Sequence, residues 1–281
     1  MQRRTVLTAS AGLALAVPRR SRAQPAWPTR PVRLIVPFPP GGPNDIIARL
    51  YAPPLQAILG QPVVIENRGG GGGVIGTDAA IKSPPDGSVF AVTNGGSLVI
   101  SPHVSGNVPY RVPDDMTLVS VVTLVPEALV ANPRLGVRDL AGLVALARRE
   151  PGRLNIGTAG AAGISHLAAE LFNAQITEQT GAGVTVVPYR GAAPAVTDLV
   201  AGQIQLLFAD LPVILPQIRA GTLTALALAS TRRSAVLPDL ATTGEQGFPG
   251  LLADNWYCMV APPRLPEPIL ARMSDALRQA S

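Results

Sequence analysis

The chain has 281 residues, 47% apolar and 15% charged, too apolar for a disordered chain and long enough for one large domain or two ordinary ones. One cysteine, Cys258, and two histidines, His103 and His166, exclude an internal disulfide and leave no Cys/His set for zinc. The formal charge of +5 is no nucleic-acid signature: Arg3, Arg4, Arg19, Arg20 and Arg22 all precede residue 24, leaving 18 basic against 18 acidic residues beyond it.

Those arginines bracket an apolar run at 5–17, followed by Ser21-Arg22-Ala23, a small-x-small cleavage site. Residues 1–23 therefore read as a signal peptide for export to the periplasm. Arg3-Arg4 followed by Leu7 leans towards the twin-arginine route, with a Sec leader as the alternative. The run is too short to span a bilayer, and no cysteine near the cleavage site could carry a lipid. The expected product is a soluble, unanchored protein.

Beyond the leader, β-rich runs alternate with amphipathic stretches, which predicts an α/β fold with a parallel sheet. Strands are expected at 32–37, 63–67, 89–93, 118–131, 154–157, 184–189, 205–209, 223–229 and 256–261. After Gly42, Ile46, Ile47, Leu50, Leu55, Ile58 and Leu59 have helical spacing, but Pro53-Pro54 sits inside. An interior proline costs about 3 kcal/mol, so a kink or break is expected near Ala52. Residues 139–150 place Leu140, Leu143, Val144 and Ala147 on one face, with Asp139 as cap and Pro151-Gly152 as stop. Ser165 is expected to cap a helix carrying Leu167, Leu171 and Phe172. The last helix, at 266–279, groups Ile269, Leu270, Met273 and Leu277.

Gly71-Gly72-Gly73-Val74-Ile75-Gly76 fits the dinucleotide pattern G-x-G-x-x-G after a strand. The acid that should meet the ribose about 20 residues on is replaced by Thr93-Asn94-Gly95-Gly96, so the run reads as a glycine loop, with an NAD-dependent enzyme kept as the alternative. Lys82 follows Ile81, so there is no Walker loop, and no G-x-S-x-G elbow is present. His166 reads as a helix-start residue against a neighbouring loop and Cys258 as inert core. What remains is a set of glycine-rich loops at strand ends, each opening a helix. Several such loops at the carboxyl edge of an open sheet make an anion site from free N–H groups, with no need for lysine.

At these residues the chain resembles the solute-binding proteins of tripartite tricarboxylate transporters, the Bug-type periplasmic receptors. The matching runs are PVRLIVPFPPGGPNDIIARL from Pro31, GQPVVIENR from Gly60, PPDGS from Pro84, SHLAAELF from Ser165, VPYRGAAPAVTDLVAGQIQLLF from Val187 and LPQIRAGTLTALALAS from Leu215. Together they span nearly all of the chain beyond the leader.

The resemblance implies a periplasmic-binding-protein-like fold of type II, in which two α/β lobes close over a small carboxylate without catalysis or cofactor. The ligand would be a di- or tricarboxylate, an aromatic acid or an amino acid. The partners would be the membrane permease subunits of such a transporter, or a regulatory membrane partner if the protein is a sensor, and the receptor itself would be a monomer. Lobe 1 is expected at 24–122 plus 225–281 and lobe 2 at 123–224, with crossings near 118–131 and 223–256. One continuous sheet carrying every strand would rule that division out. Relatives continue past the point corresponding to Ser281, so the C-terminus is expected to be truncated.

The implied ligand contacts are Phe38, Pro39, Gly41, Gly42, Pro43, Asn44 and Asp45 after the first strand, and Asn94, Gly95 and Ser97 after the third. In the second half they are Thr158, Ala159, Gly160, Ala161 and Gly163, then Tyr189, Gly191 and Ala192, and finally Asp210. No catalytic or metal-binding residue is expected. Asp45 would repel a ligand carboxylate, so it is assigned to organising its loop or to contacting a ligand hydroxyl or amino group through water. Pro43-Asn44 and Ala161-Ala162-Gly163-Ile164 depart from the family pattern and remove side-chain donors, and Phe208-Ala209-Asp210-Leu211-Pro212 stands where relatives commonly show F-D-N-L-P, which leaves the role of the aspartate open.

Overall fold

The structure is a computed structural model that describes residues 27–161 and 163–281. The leader expected at 1–23 lies outside the described residues. Nine strands form where the β-rich runs lie: β1 (Val32–Val36), β2 (Val63–Asn67), β3 (Val89–Asn94), β4 (Thr117–Ala131), β5 (Asn155–Thr158), β6 (Thr185–Pro188), β7 (Leu206–Asp210), β8 (Thr224–Leu228) and β9 (Asp254–Ala261). Their order is β2-β1-β3-β9-β4-β7-β5-β6, with β8 on β4.

Only the outer strands are parallel: β1 with β2 and β3, and β5 with β6 and β7. The expected parallel sheet is in fact mixed, because β4 and β9 run antiparallel to each other and to every other neighbour. They carry the chain between the two halves in opposite directions.

All nine strands do belong to one hydrogen-bonded sheet, eight along one path and β8 beside β4, which is the arrangement expected to rule out two lobes. The path is continuous because β4 changes partner along its length: Thr117–Pro126 pairs with β9, and Glu127–Ala131 pairs with β7 and β8.

The period of two along each strand then supplies both faces of each half. Leu34, Phe90, Val92, Tyr257 and Met259 pack on one face of the first half, while Ile35, Ala91, Cys258 and Val260 pack on the other. In the second half, Leu129, Leu206 and Phe208 face one way and Ala128, Val130 and Leu207 the other. Leu226, Ala227, Ala229, Phe248, Leu251 and Ala253 also belong to the second half's core. The return to the first half expected at Ala225 is therefore not where the packing changes. Ala253 donates to the Ala229 carbonyl at 2.8 Å and the chain leaves only along β9.

Helix α1 (Pro43–Leu59) runs unbroken through Pro53 and Pro54, against the break expected near Ala52. Ala48, Ala52, Leu55 and Leu59 are buried along one stripe, and that packing outweighs the backbone bonds the prolines forfeit. Helix α2 covers Val74–Ile81 and the short α3 covers Ser101–Val104. Helix α4 (Leu140–Arg149) starts as expected, with Asp139 Oδ1 accepting from the Gly142 N–H at 2.7 Å. Helix α5 (Ile164–Thr180) begins earlier than expected: Gly163 is its N-cap, and Ser165 Oγ instead accepts from the Ala159 N–H at 3.1 Å. Helices α6 (Ala192–Ala201), α7 (Leu211–Arg219) and α8 (Glu267–Ala280) complete the layers used below.

Candidate functional site

The loop after β1 turns at Gly41, whose φ of +78° suits glycine, and enters α1 through Gly42 and Pro43. Asp45, in the first turn, is 3% exposed. Its Oδ2 accepts from the Gly41 N–H at 3.0 Å and Arg49 Nε at 2.8 Å, and its Oδ1 from Asn67 Nδ2 at 3.0 Å. Burial raises its pKa, but Arg49, the Gly41 N–H and Asn67 more than offset this and hold it below the usual carboxylate value. Asn44 Nδ2 donates to the Val92 carbonyl at 2.9 Å, and its Oδ1 accepts from Asn94 Nδ2 at 3.2 Å, so the first and third strand-end loops are tied together. Asn94 Oδ1 accepts from the Ser97 N–H at 3.1 Å, and Ser97 Oγ reaches the Gly72 carbonyl at 2.9 Å.

In the second half, Thr158 Oγ1 donates to the Gly160 carbonyl at 3.1 Å and the Tyr189 hydroxyl to Asp198 Oδ2 at 2.8 Å. These loops, the N-termini of α1, α5 and α6, and the ends of β3 and β7 face one another across a cleft. Its empty space is about 600 Å³, part of it continuous with solvent.

Twelve of the sequence-predicted residues line this cleft: Phe38, Pro39, Gly42, Pro43, Asn44, Asn94, Ala159, Gly160, Gly163, Gly191, Ala192 and Asp210. The others stand behind it. Gly41 and Asp45 shape the first loop and Ser97 braces the glycine loop. Gly95 packs so closely on Trp256 that a Cβ would sit 2.7 Å from its indole nitrogen. Thr158 and Tyr189 hold the second-half loops, and Ala161 lies at an exposed turn.

Sequence reasoning missed Glu127, Asn255 and Tyr257, which form the floor of the cleft with Asp210. Glu127 and Asp210 are directly opposite in the β4/β7 ladder. Tyr257 donates to Asp210 Oδ1 at 2.7 Å, and Asn255 Nδ2 reaches the Tyr257 hydroxyl at 2.7 Å and Asp210 Oδ1 at 3.2 Å. The visible signal was Glu127 itself, the one charged residue in the apolar run 118–131.

Three comparisons now bear on this cleft. The family model described as "Tripartite tricarboxylate transporter family receptor" matches residues 47–281. Protein BugT of Bordetella pertussis is 37% identical over 98% of this chain and 82% of its own. Among solved structures, one of the periplasmic binding protein BugD is 31% identical with a TM-score of 0.82, over 90% of this chain and 83% of that one. An R. palustris protein solved with adipate is 35% identical with a TM-score of 0.85, over 89% and 83%. MatC from Rhodopseudomonas palustris, solved with malate, is 32% identical with a TM-score of 0.82, over 90% and 85%.

The chain belongs to the tripartite tricarboxylate transporter receptor family. It is a solute-binding protein of the periplasmic type that its fold and strand-end loops anticipated.

Within this receptor the dinucleotide-like glycines have packing work. A Cβ on Gly76 would lie 2.4 Å from the Arg68 carbonyl oxygen and 2.6 Å from Pro37 Cα, so glycine is what lets α2 sit against β1. His166 Nδ1 lies 3.4 Å from Thr158 Oγ1, a helix-start histidine against its loop. Cys258 is buried in the first-half core, and desolvation pushes its thiol up to about 12. Among the described residues no group of three or more His, Cys, Asp or Glu is placed to hold a metal, and no helix is long and apolar enough to cross a membrane.

Proposed function

We propose that this receptor is exported to the periplasm, captures a small carboxylate in the cleft without turning it over, and delivers it to membrane permease subunits. The observation that carries this reading is the convergence of three helix N-termini on a cleft whose lining includes no lysine or arginine. The N–H groups of Asn44, Gly160, Gly163 and 191–193 then hold the carboxylate, as helix starts hold anions generally. The adipate and malate found in the two relatives are of this class.

The two bodies that close on the ligand are 27–126 with 254–281, and 127–253, hinged where β4 changes partner and where β9 begins. This places the return of the chain at Asp254, in keeping with the second-half packing of 226–253.

The test is a thermal-shift screen of the exported protein against mono-, di- and tricarboxylates, aromatic acids and amino acids. A binder at about 100 times its Kd adds about 2.7 kcal/mol. A protein unmoved by every carboxylate would overturn the reading.

A further inference from the structure

The floor of the cleft has more acceptors than the protein can satisfy. Glu127 and Asp210 are 1% and 3% exposed, yet both line the cleft, and as directly opposed residues of an antiparallel pair they emerge on the same face of the sheet. The donors on Asp210, from Tyr257 and Asn255, both converge on its Oδ1. Glu127 Oε2 is fully buried and no donor among the described residues reaches it. A buried acceptor of this kind is costly to leave unpaired. The cleft lining offers no cation to neutralise it.

Resting on the carboxylate-binding reading above, we propose that Glu127 and Asp210 form a subsite for an ammonium group, so that this receptor takes carboxylates that also carry an amine. The carboxylate end lies against the helix N-termini and the ammonium against the floor. An ammonium brings three donors and a positive charge, which is what a fully buried carboxyl pair lacks. A second carboxylate at that end would meet two acidic groups with no cation between them.

In the empty cleft the pair relieves its own repulsion by keeping a proton. Burial and the neighbouring Asp210 charge push the Glu127 carboxyl well above its ordinary value, and burial raises Asp210 to about 6 despite the Tyr257 and Asn255 donors. The groups facing Glu127 across the floor are Asp210 from β7 and Asn255 and Tyr257 from β9, none of them cationic. An arriving ammonium therefore displaces that proton, which leaves to solvent.

The experiment is isothermal titration of the exported protein at pH 7.5 with matched pairs: 4-aminobutyrate and succinate, L-glutamate and glutarate, 6-aminohexanoate and adipate. In the best-fitting pair the amine-bearing compound should bind at least about tenfold more tightly. Its apparent enthalpy should change with the ionisation enthalpy of the buffer, the mark of a released proton. Glu127→Gln should collapse the preference; Asp210→Asn serves the same purpose if the first variant does not fold. Bare dicarboxylates binding as tightly as their amine partners in all three pairs would overturn the proposal. So would a preference unchanged in both variants. Binding without preference would sink this inference alone, whereas no binding by any carboxylate in the screen would sink the reading beneath it as well.

Discussion

Asp45 and Asp210 are both 3% exposed, Asp210 the more deeply desolvated, and both stand at a helix start, one in the first turn of α1 and the other at the N-cap position of α7. Their charges behave in opposite ways. Asp45 meets a guanidinium, an amide side chain and a backbone N–H, and stays ionised below the usual carboxylate range. Asp210 is raised to about 6 by burial, despite the donors of Tyr257 and Asn255, because no cation stands beside it. Low exposure alone does not decide whether a carboxylate keeps its charge; the depth of its desolvation and the presence of a cation among its partners do. In this receptor the compensated acid lies behind the cleft wall, where it fixes loop geometry. The uncompensated pair faces the cleft, where a ligand can complete it.

The sharpest way to break this contrast is to make the same isosteric change at both positions. Asp45→Asn leaves an acceptor for one donor but turns an amide NH2 towards groups that are themselves donors. It should cost about 2–3 kcal/mol of stability, the range for hydrogen bonds to a charged group, while carboxylate affinity stays within a few-fold. Asp210→Asn removes a charge that Glu127 opposes, and at pH 8 it should leave stability unchanged or higher. Urea denaturation of the two variants checks the pair. If both lose stability alike, the two sites are not distinguished by their donors.

A smaller effect separates them by pH. Glu127 and Asp210 have folded-state pKa values above their ordinary ones, about 6 for Asp210, so from about pH 4 up to those raised values the native state holds more protons than the unfolded chain and stability falls as pH rises. Asp45 runs the other way: its contribution is present above about pH 4 and lost as pH falls below it. The empty receptor should lose about 1–2 kcal/mol, a few degrees of Tm, from pH 5 to pH 8. Glu127→Gln should flatten most of that slope. A wild-type Tm independent of pH over this range would mean that the floor acids share no proton.

The strands were legible because apolar alternation is local, and so were the strand-end loops, where glycine, proline and asparagine cluster after each run. Strand direction was not, since nothing in the run 118–131 says that it lies antiparallel to its neighbours. The same limit hid the floor of the site. Glu127, Asp210, Asn255 and Tyr257 come from three strands and meet only through the β4/β7 and β4/β9 ladders, although a lone acid in an apolar strand was the trace left in the sequence. Pro53-Pro54 misled because local propensity was weighed without the buried stripe of α1. Ser165 misled because Gly163 had already opened the helix, freeing the hydroxyl to hold the Ala159 N–H.

The smallest expected effect asks which of Asp45's partners matters. Arg49 Nε makes the shortest contact, 2.8 Å, and is the only charged group among the three. Its side chain is 58% exposed, however, against 4% for Asp45, so water and salt screen the attraction from one side. Exposed i,i+4 pairs of this kind contribute about 0.3–0.5 kcal/mol. The Gly41 N–H and Asn67 Nδ2 are held by the turn and by β2 and cannot swing away to solvent as the guanidinium can. Arg49→Gln should therefore cost only a small part of what Asp45→Asn costs at low salt, and less at high salt, with carboxylate affinity unchanged. It should also move the Asp45 pKa upward, as followed by NMR titration of the carboxyl carbon. A loss as large as that of Asp45→Asn would mean that the ion pair, and not the backbone and amide donors, keeps this loop in its ligand-ready shape.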